Sequence, residues 1–315
     1  KEDYLLDIGC NDGTLLRSFS AGKRIGFEPA SNIVEEARDG TQKIINDFFS
    51  YEAFSEHFPN TKCKSITSIA MFYDLENPNK FVSDISKCLD EDGIWTIQMA
   101  YLKTDIDKNG FDNIVHEHLE YYSLYSLEHL LSRHGLEVFD LELNDLYGGS
   151  IRTYIKHKTS SRFKIEESVT KLRKIEEEDK FHETQTYLDY ASRVKALKDE
   201  LLSFIQEEQA KGKIVYCYGA STKGNTILQY FDINDKIIEK VVDRDHRKFG
   251  NYTVGTNLLV ISEDEGRNDN PDYFLILPWH LTNFFIERER NYLENGGKFI
   301  LAFPSLRIID KYDIK

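Results

Sequence analysis

Short apolar runs at Tyr4–Asp7, Arg24–Phe27, Lys43–Ile45, Ile66–Met71 and Ile94–Met99 alternate with stretches of helical spacing. That alternation predicts βαβ units and a doubly wound parallel sheet. Leu136–Leu143 and Ile151–Ile155 flank a turn at Gly148-Gly149 and read as an antiparallel hairpin closing the sheet. From about Ser160 to Ala210 turn-forming residues almost disappear, and Tyr187, Ala191, Val194, Leu197, Leu201 and Ile205 recur at helical spacing. One or two long amphipathic helices are expected there, packed on flanking domains or forming a coiled-coil seam. A second alternating pattern follows: Ile214–Tyr218, a small-residue turn, a helix, then runs at Ile238–Val242, Leu258–Ile261, Tyr273–Leu277 and Phe299–Phe303, with a helix near Phe284–Leu293. The expected organisation is an α/β domain over 1–158, a helical connector over 159–210 and a second α/β domain over 211–315.

Composition narrows the class. Fifty-four acidic against 40 basic residues give a formal charge of −14, which argues against a nucleic-acid surface because phosphates need a basic stripe. No apolar run approaches the roughly 18 residues of a membrane span. Cys10, Cys63, Cys88 and Cys217 are scattered, with no Cys-x-x-Cys pair and no secretory segment, which points to a reducing cytoplasm. The chain opens at Lys1 and its first apolar run at Tyr4, so a preceding N-terminal segment is expected to be missing. Oligomeric state is not legible.

The most informative turn joins the first strand to the first helix: Asp7-Ile8-Gly9-Cys10-Asn11-Asp12-Gly13. Glycines there let backbone approach a ligand at the carboxyl edge of the sheet. A dinucleotide site favours Gly-x-Gly-x-x-Gly, whereas Gly9 and Gly13 give Gly-x-x-x-Gly, so a ligand without a pyrophosphate is expected. Glu28 ends the second strand, where a carboxylate can accept from both hydroxyls of a ribose. Asp47, after the third strand, is either a contact for an adenine amino group or a solvated turn residue.

His116-Glu117-His118 follows the strand Ile94–Met99. Histidine suits proton abstraction near neutrality, and a neighbouring carboxylate can orient its ring. The sequence does not separate His116 from His118, and no third ligand suggests a metal. Tyr73 stands beside the cofactor strand end; Ser150 and Arg152 follow the Gly-Gly turn. In the second half, Ser221, Thr222 and Lys223 lie in a strand-to-helix turn suited to anionic groups. That turn lacks the order of a triphosphate loop, and either a diphosphate site or a vestigial fold accounts for it.

Together Asp7–Leu15, Gly26–Ala30, Ser68–Pro78, His116–Leu119 with Tyr121-Tyr122-Ser123, Tyr147–Arg152 and Tyr218–Thr226 resemble the sugar C-methyltransferases, which methylate carbon on nucleotide-linked keto-deoxysugars. The resemblance implies a class I methyltransferase Rossmann-like domain with a second Rossmann-like domain, and S-adenosyl-L-methionine as donor. Asp7, Gly9, Asn11, Gly13, Glu28 and Asp47 would bind that donor. His118 is implied as base with Glu117 as partner or sugar ligand, His116 remaining an alternative. Tyr73, Tyr121, Tyr122, Ser150, Arg152, Ser221, Thr222 and Lys223 would meet a nucleotide sugar. Two departures stand out: the family's cysteine-rich zinc-binding segment is absent from this sequence, so no metal site is assigned, and Val115 replaces a tyrosine found in some members. Methylation of oxygen or nitrogen, or an NAD(P)-dependent reductase in the second domain, are the competing expectations.

Overall fold

A computed structural model describes residues 3–314; the outermost positions of the expected domain ranges lie outside the described residues. Contacts group the chain into two units, one holding residues up to Lys103 with Glu117–His182, the other Thr104–His116 with the chain from Glu183 onward.

The first unit is built on seven strands: β1 (Tyr4–Ile8), β2 (Lys23–Phe27), β3 (Lys43–Ile45), β4 (Cys63–Ile69), β5 (Leu89–Ala100), β6 (Leu136–Asn144) and β7 (Ser150–His157), in the order β3-β2-β1-β4-β5-β7-β6. Neighbours from β3 to β5 are parallel, and β7 runs antiparallel to both β5 and β6. The apolar runs form strands because both sheet faces are covered, consecutive residues at the ends of β1 and β2 all being buried; on one face Leu6, Ile25, Ile66 and Ile97 share a core with Trp95, whose indole N–H donates to Ser68 Oγ at 3.1 Å. This is the class I methyltransferase arrangement. Strand order reverses between β1 and β4, and the crevice beyond their carboxyl ends is where such sheets take ligands.

The second unit carries β8 (Val215–Tyr218), β9 (Lys240–Asp243), β10 (Leu259–Ser262), β11 (Tyr273–Ile276), β12 (Lys298–Leu301) and β13 (Arg307–Ile309), ordered β10-β9-β8-β11-β12-β13. All are parallel except β13, which pairs antiparallel with β12 and was not foreseen from its three residues. The order is that of a Rossmann sheet, with its reversal between β8 and β11.

The charged stretch expected as one connector divides. Helix Glu167–Glu178 packs with the first unit, and helix Thr184–Ala210 buries Val194, Leu197, Leu201 and Ile205 in the second unit's core. Tyr187 and Ala191, from the same stripe, are exposed. The helix expected near Phe284–Leu293 is two short ones, Thr282–Arg288 and Arg290–Glu294, broken at Glu289, whose buried carboxylate takes the Tyr218 hydroxyl at 2.9 Å and Arg267 at 2.5 Å.

Candidate active site

At the carboxyl ends of β1 and β4 lies a cavity of about 400 Å³ lined by Gly9, Glu28, Asp47, Phe48, Met71 and Asp74, among others. Gly9 holds φ +71°, and a side chain there would start 3.5 Å from Met71 Cγ, inside the cradle. Glu28 is 6% exposed; its Oε2 accepts from the Asn11 N–H at 2.9 Å and its Oε1 from the Ala30 N–H at 2.8 Å. Asn11 adopts φ +50°, a conformation asparagine tolerates better than most residues, to aim its amide there. Each carboxylate oxygen retains a lone pair for a hydroxyl. Asp47 is exposed at the cavity, its Oδ1 accepting from the Phe48 N–H at 2.8 Å, and the Phe48 ring is 77% exposed beside it. An apolar crevice with an acid at its base and an exposed aromatic at its lip fits an adenosine.

Three of the expected donor contacts, Asp7, Asn11 and Gly13, are not among the lining residues, and Asn11 is tied to the cavity through its amide on Glu28. Asp7 is absent from the lining; buried, it accepts from the Thr67 hydroxyl at 2.6 Å, and burial, reinforced by the charge of Glu28, pushes its carboxyl up to about 6 despite that bond. Gly13 serves packing: at φ +80°, a Cβ would come within 3.0 Å of Ala37 Cα and carbonyl oxygen.

Beside the cavity the His-Glu-His run returns to the first unit. The Tyr73 carbonyl accepts from the N–H groups of Leu119 and Glu120 at 2.9 and 3.1 Å, and the Tyr73 ring lies 4.4 Å from the His118 ring. Burial pushes the Tyr73 phenol up to about 12. Asp74, which lines the cavity, is raised by partial burial, eased by His118 and pushed further by Glu117. The Tyr121 hydroxyl donates to the His118 carbonyl at 3.1 Å. His116 falls in the second unit.

Other expected substrate contacts have partners within the fold. Tyr122 is buried against Phe72, its hydroxyl donating to Glu120 at 3.2 Å. Ser150 is buried and donates to the Leu146 carbonyl at 2.8 Å, tying the hairpin turn. Arg152 donates through Nε to Gln98 Oε1 at 2.7 Å and faces Glu142 at 3.5 Å.

In the second unit a cavity of about 690 Å³ sits at the β8 and β11 ends, lined by Ser221, Thr222, Lys223, Arg244, His280 and others. Ser221 caps helix Thr222–Tyr230, accepting from the Gly224 N–H at 3.0 Å. Lys223 acts electrostatically on Asp105 and Asp112, two carboxyls raised chiefly by burial, Asp105 to about 7; burial and Lys223 push His280 down to about 4. Asp243, at the end of β9, lines this cavity and accepts from Ala220 N–H at 2.8 Å, Lys248 Nζ at 3.1 Å and Asp245 N–H at 2.8 Å.

Residues 145–304 match the family described as "C-methyltransferase C-terminal domain", and residues 1–141 match the "Methyltransferase domain" family. The chain belongs to the C-methyltransferase family. The C-methyltransferase NovU of Streptomyces niveus is 29% identical over 310 residues, spanning 98% of this chain and 74% of that protein. Among solved structures, half of this C-methyltransferase overlays on a putative Haloferax volcanii methyltransferase in complex with the Trm112 activator (TM-score 0.41, 15% identity, 83% of that chain). Half also overlays on an S-adenosylmethionine-dependent methyltransferase from Clostridium acetobutylicum (TM-score 0.38, 13% identity, 85% of that chain). Both family matches describe methyl transfer.

Phe48 and Asp74 were missed from sequence. Phe48 had a signal, a phenylalanine directly after the acid of a strand-end turn; Asp74 lies inside Ser68–Pro78, and what singles it out is the fold bringing residue 118 back to residue 73.

Proposed function

We propose that this C-methyltransferase methylates the carbon beside the carbonyl of a nucleotide-linked keto-deoxysugar, with His118 as general base, the donor held in domain 1–158 and the nucleotide in domain 211–315. When bound, the donor supplies an activated methyl group needing no protein nucleophile. The chain's residues then have two tasks, to align the acceptor and to generate a carbanion at its carbon. The observation that carries the reading is the tilted contact of the His118 ring with the Tyr73 ring, next to Asp74 of the donor cavity. His118 belongs to the unit that holds the donor cavity, whereas His116 groups with the other unit, which favours His118. Glu117, its chain neighbour, orients the base or meets the sugar, and Tyr73 and Tyr121 border the acceptor. Ser221, Thr222 and Lys223 offer hydroxyls, a helix N-terminus and a cation to the diphosphate.

The test is solvent deuterium exchange at the acceptor carbon. His118→Ala is expected to keep donor affinity while losing exchange and methyl transfer together, by about 10²–10⁴-fold; Glu117→Gln should lose less. Normal exchange in His118→Ala with loss in His116→Ala would move the base to His116. Normal exchange in both would favour methylation of oxygen or nitrogen.

A further inference from the structure

Glutamates are almost never fully buried without partners. Glu176, near the end of helix Glu167–Glu178, is 3% exposed. Its Oε1 accepts from the Tyr101 hydroxyl at 2.6 Å and from the Leu124 N–H at 2.7 Å, and its Oε2 accepts from the Tyr125 N–H at 2.8 Å. Tyr101 directly follows β5. Leu124 and Tyr125 open helix Leu124–Ser132, so their amides belong to the first turn, which has no intrahelical acceptor and favours negative charge.

These three groups are the two feet of one excursion. Between them the chain leaves the first unit at Thr104, re-enters at Glu117, and carries the His-Glu-His run. The Leu102 N–H donates to the Tyr122 carbonyl at 3.1 Å, closing the base of the excursion, and the Tyr73 carbonyl catches Leu119 and Glu120 on its return. A single carboxylate thus fixes where the segment departs and where it lands.

We propose that Glu176 is a positioning residue for methyl transfer, holding both feet of the loop so that His118 stays against Tyr73; this rests on the reading of His118 as base. All three partners are donors, so the site calls for a carboxylate. A glutamine would present one oxygen and set its NH₂ against a donor.

Glu176→Gln is expected to lower methyl transfer and acceptor-carbon deuterium exchange together by about 10–100-fold, since a small misplacement of a reacting group costs that much. S-adenosylmethionine affinity should stay within about twofold, because the donor cavity shares no residue with this latch. Backbone hydrogen exchange should rise in a peptide covering 117–125 and not in one covering β1. Tyr101→Phe, which leaves both amides bonded, should shift every readout the same way by less, and serves if Glu176→Gln does not fold. In a His118→Ala background, Glu176→Gln should reduce the residual rate no further. Wild-type transfer in a folded Glu176→Gln protein, or a fully additive loss in that background, overturns the proposal. If His118→Ala alone keeps full acceptor exchange, the base assignment falls separately, and the loop's backbone exchange with the Glu176→Gln transfer rate still decides whether the latch positions the loop.

Discussion

Asp7 and Glu28 stand near the same edge of neighbouring strands, yet they do different work. The sequence marks both as acids beside a glycine turn; only the packing around Thr67 shows that Asp7 turns inward. Burial raises Asp7 from 3.8 to about 6, so between those pH values the folded chain keeps a proton that the unfolded chain has released. Its contribution to stability is present below about pH 4 and is lost as pH rises through about 6, an effect of about 3 kcal/mol at most. Asp7→Asn keeps an oxygen for Thr67 and cannot ionise. Its urea midpoint should exceed the wild type's at pH 7.5 and converge with it at pH 4; a constant difference at both would exclude ionisation as the cause. Glu28→Ala leaves the Asn11 and Ala30 amides without their acceptor as well as removing a donor contact. Calorimetry should show S-adenosylmethionine affinity reduced about 10–100-fold, with a stability loss of about 1–3 kcal/mol by denaturation. Unchanged affinity in the folded variant would remove Glu28 from the site.

Strands were readable in the sequence because burial on both faces leaves uninterrupted apolar runs; β3, Lys43–Ile45, is found where its run predicts it. The helices after Ser160 were readable as helices and not by allegiance, since charged faces of helices Glu167–Glu178 and Thr184–Ala210 look alike until one sees which core each stripe enters. Glu176 was hidden for the same reason, one acid in a run of acids. The Ser150 and Tyr122 hydroxyls, read as substrate contacts, bond to a turn carbonyl and a neighbouring carboxylate, which only the packing reveals. Glycines separate local strain from packing. Gly13 and Gly135 both hold positive φ, but a Cβ at Gly13 meets Ala37 backbone at 3.0 Å, whereas one at Gly135 meets nothing within 4 Å. Gly135→Ala should cost about 1 kcal/mol and Gly13→Ala about 2–3, as read from urea midpoints. Equal costs would mean the approach to Ala37 relaxes freely.

The two sheets share an architecture and differ in what their carboxyl edges can hold. In a dinucleotide-binding sheet, backbone at the first turn must lie open to a pyrophosphate, and an acid at the end of the second strand must be available to a ribose. At β8 a Cβ on Gly219 would lie 2.5 Å from Pro278 Cδ and Cγ, so the proline ring packs against a turn that lines the cavity. At β9 Asp243 takes two amides, as Glu28 does, and the Lys248 ammonium in addition. A hydride-transfer cofactor would compete with Pro278 at the turn and with Lys248 for the acid, so the Ser221–Lys223 turn is expected to take a shorter anion. Calorimetry should show thymidine or uridine diphosphate binding to the wild-type chain and NADH binding at least about tenfold more weakly. Lys223→Ala should weaken the nucleoside diphosphate by about tenfold, the worth of one charge-assisted contact, and leave S-adenosylmethionine affinity unchanged. Because Lys223 also offsets the buried Asp105 and Asp112, Lys223→Arg is the necessary companion: it keeps the charge and should recover most of the nucleotide affinity. If Lys223→Ala weakens donor and nucleotide equally, the lysine supports the fold and not the substrate. If NADH binds as tightly as the nucleoside diphosphates, the reductase reading of the second sheet returns.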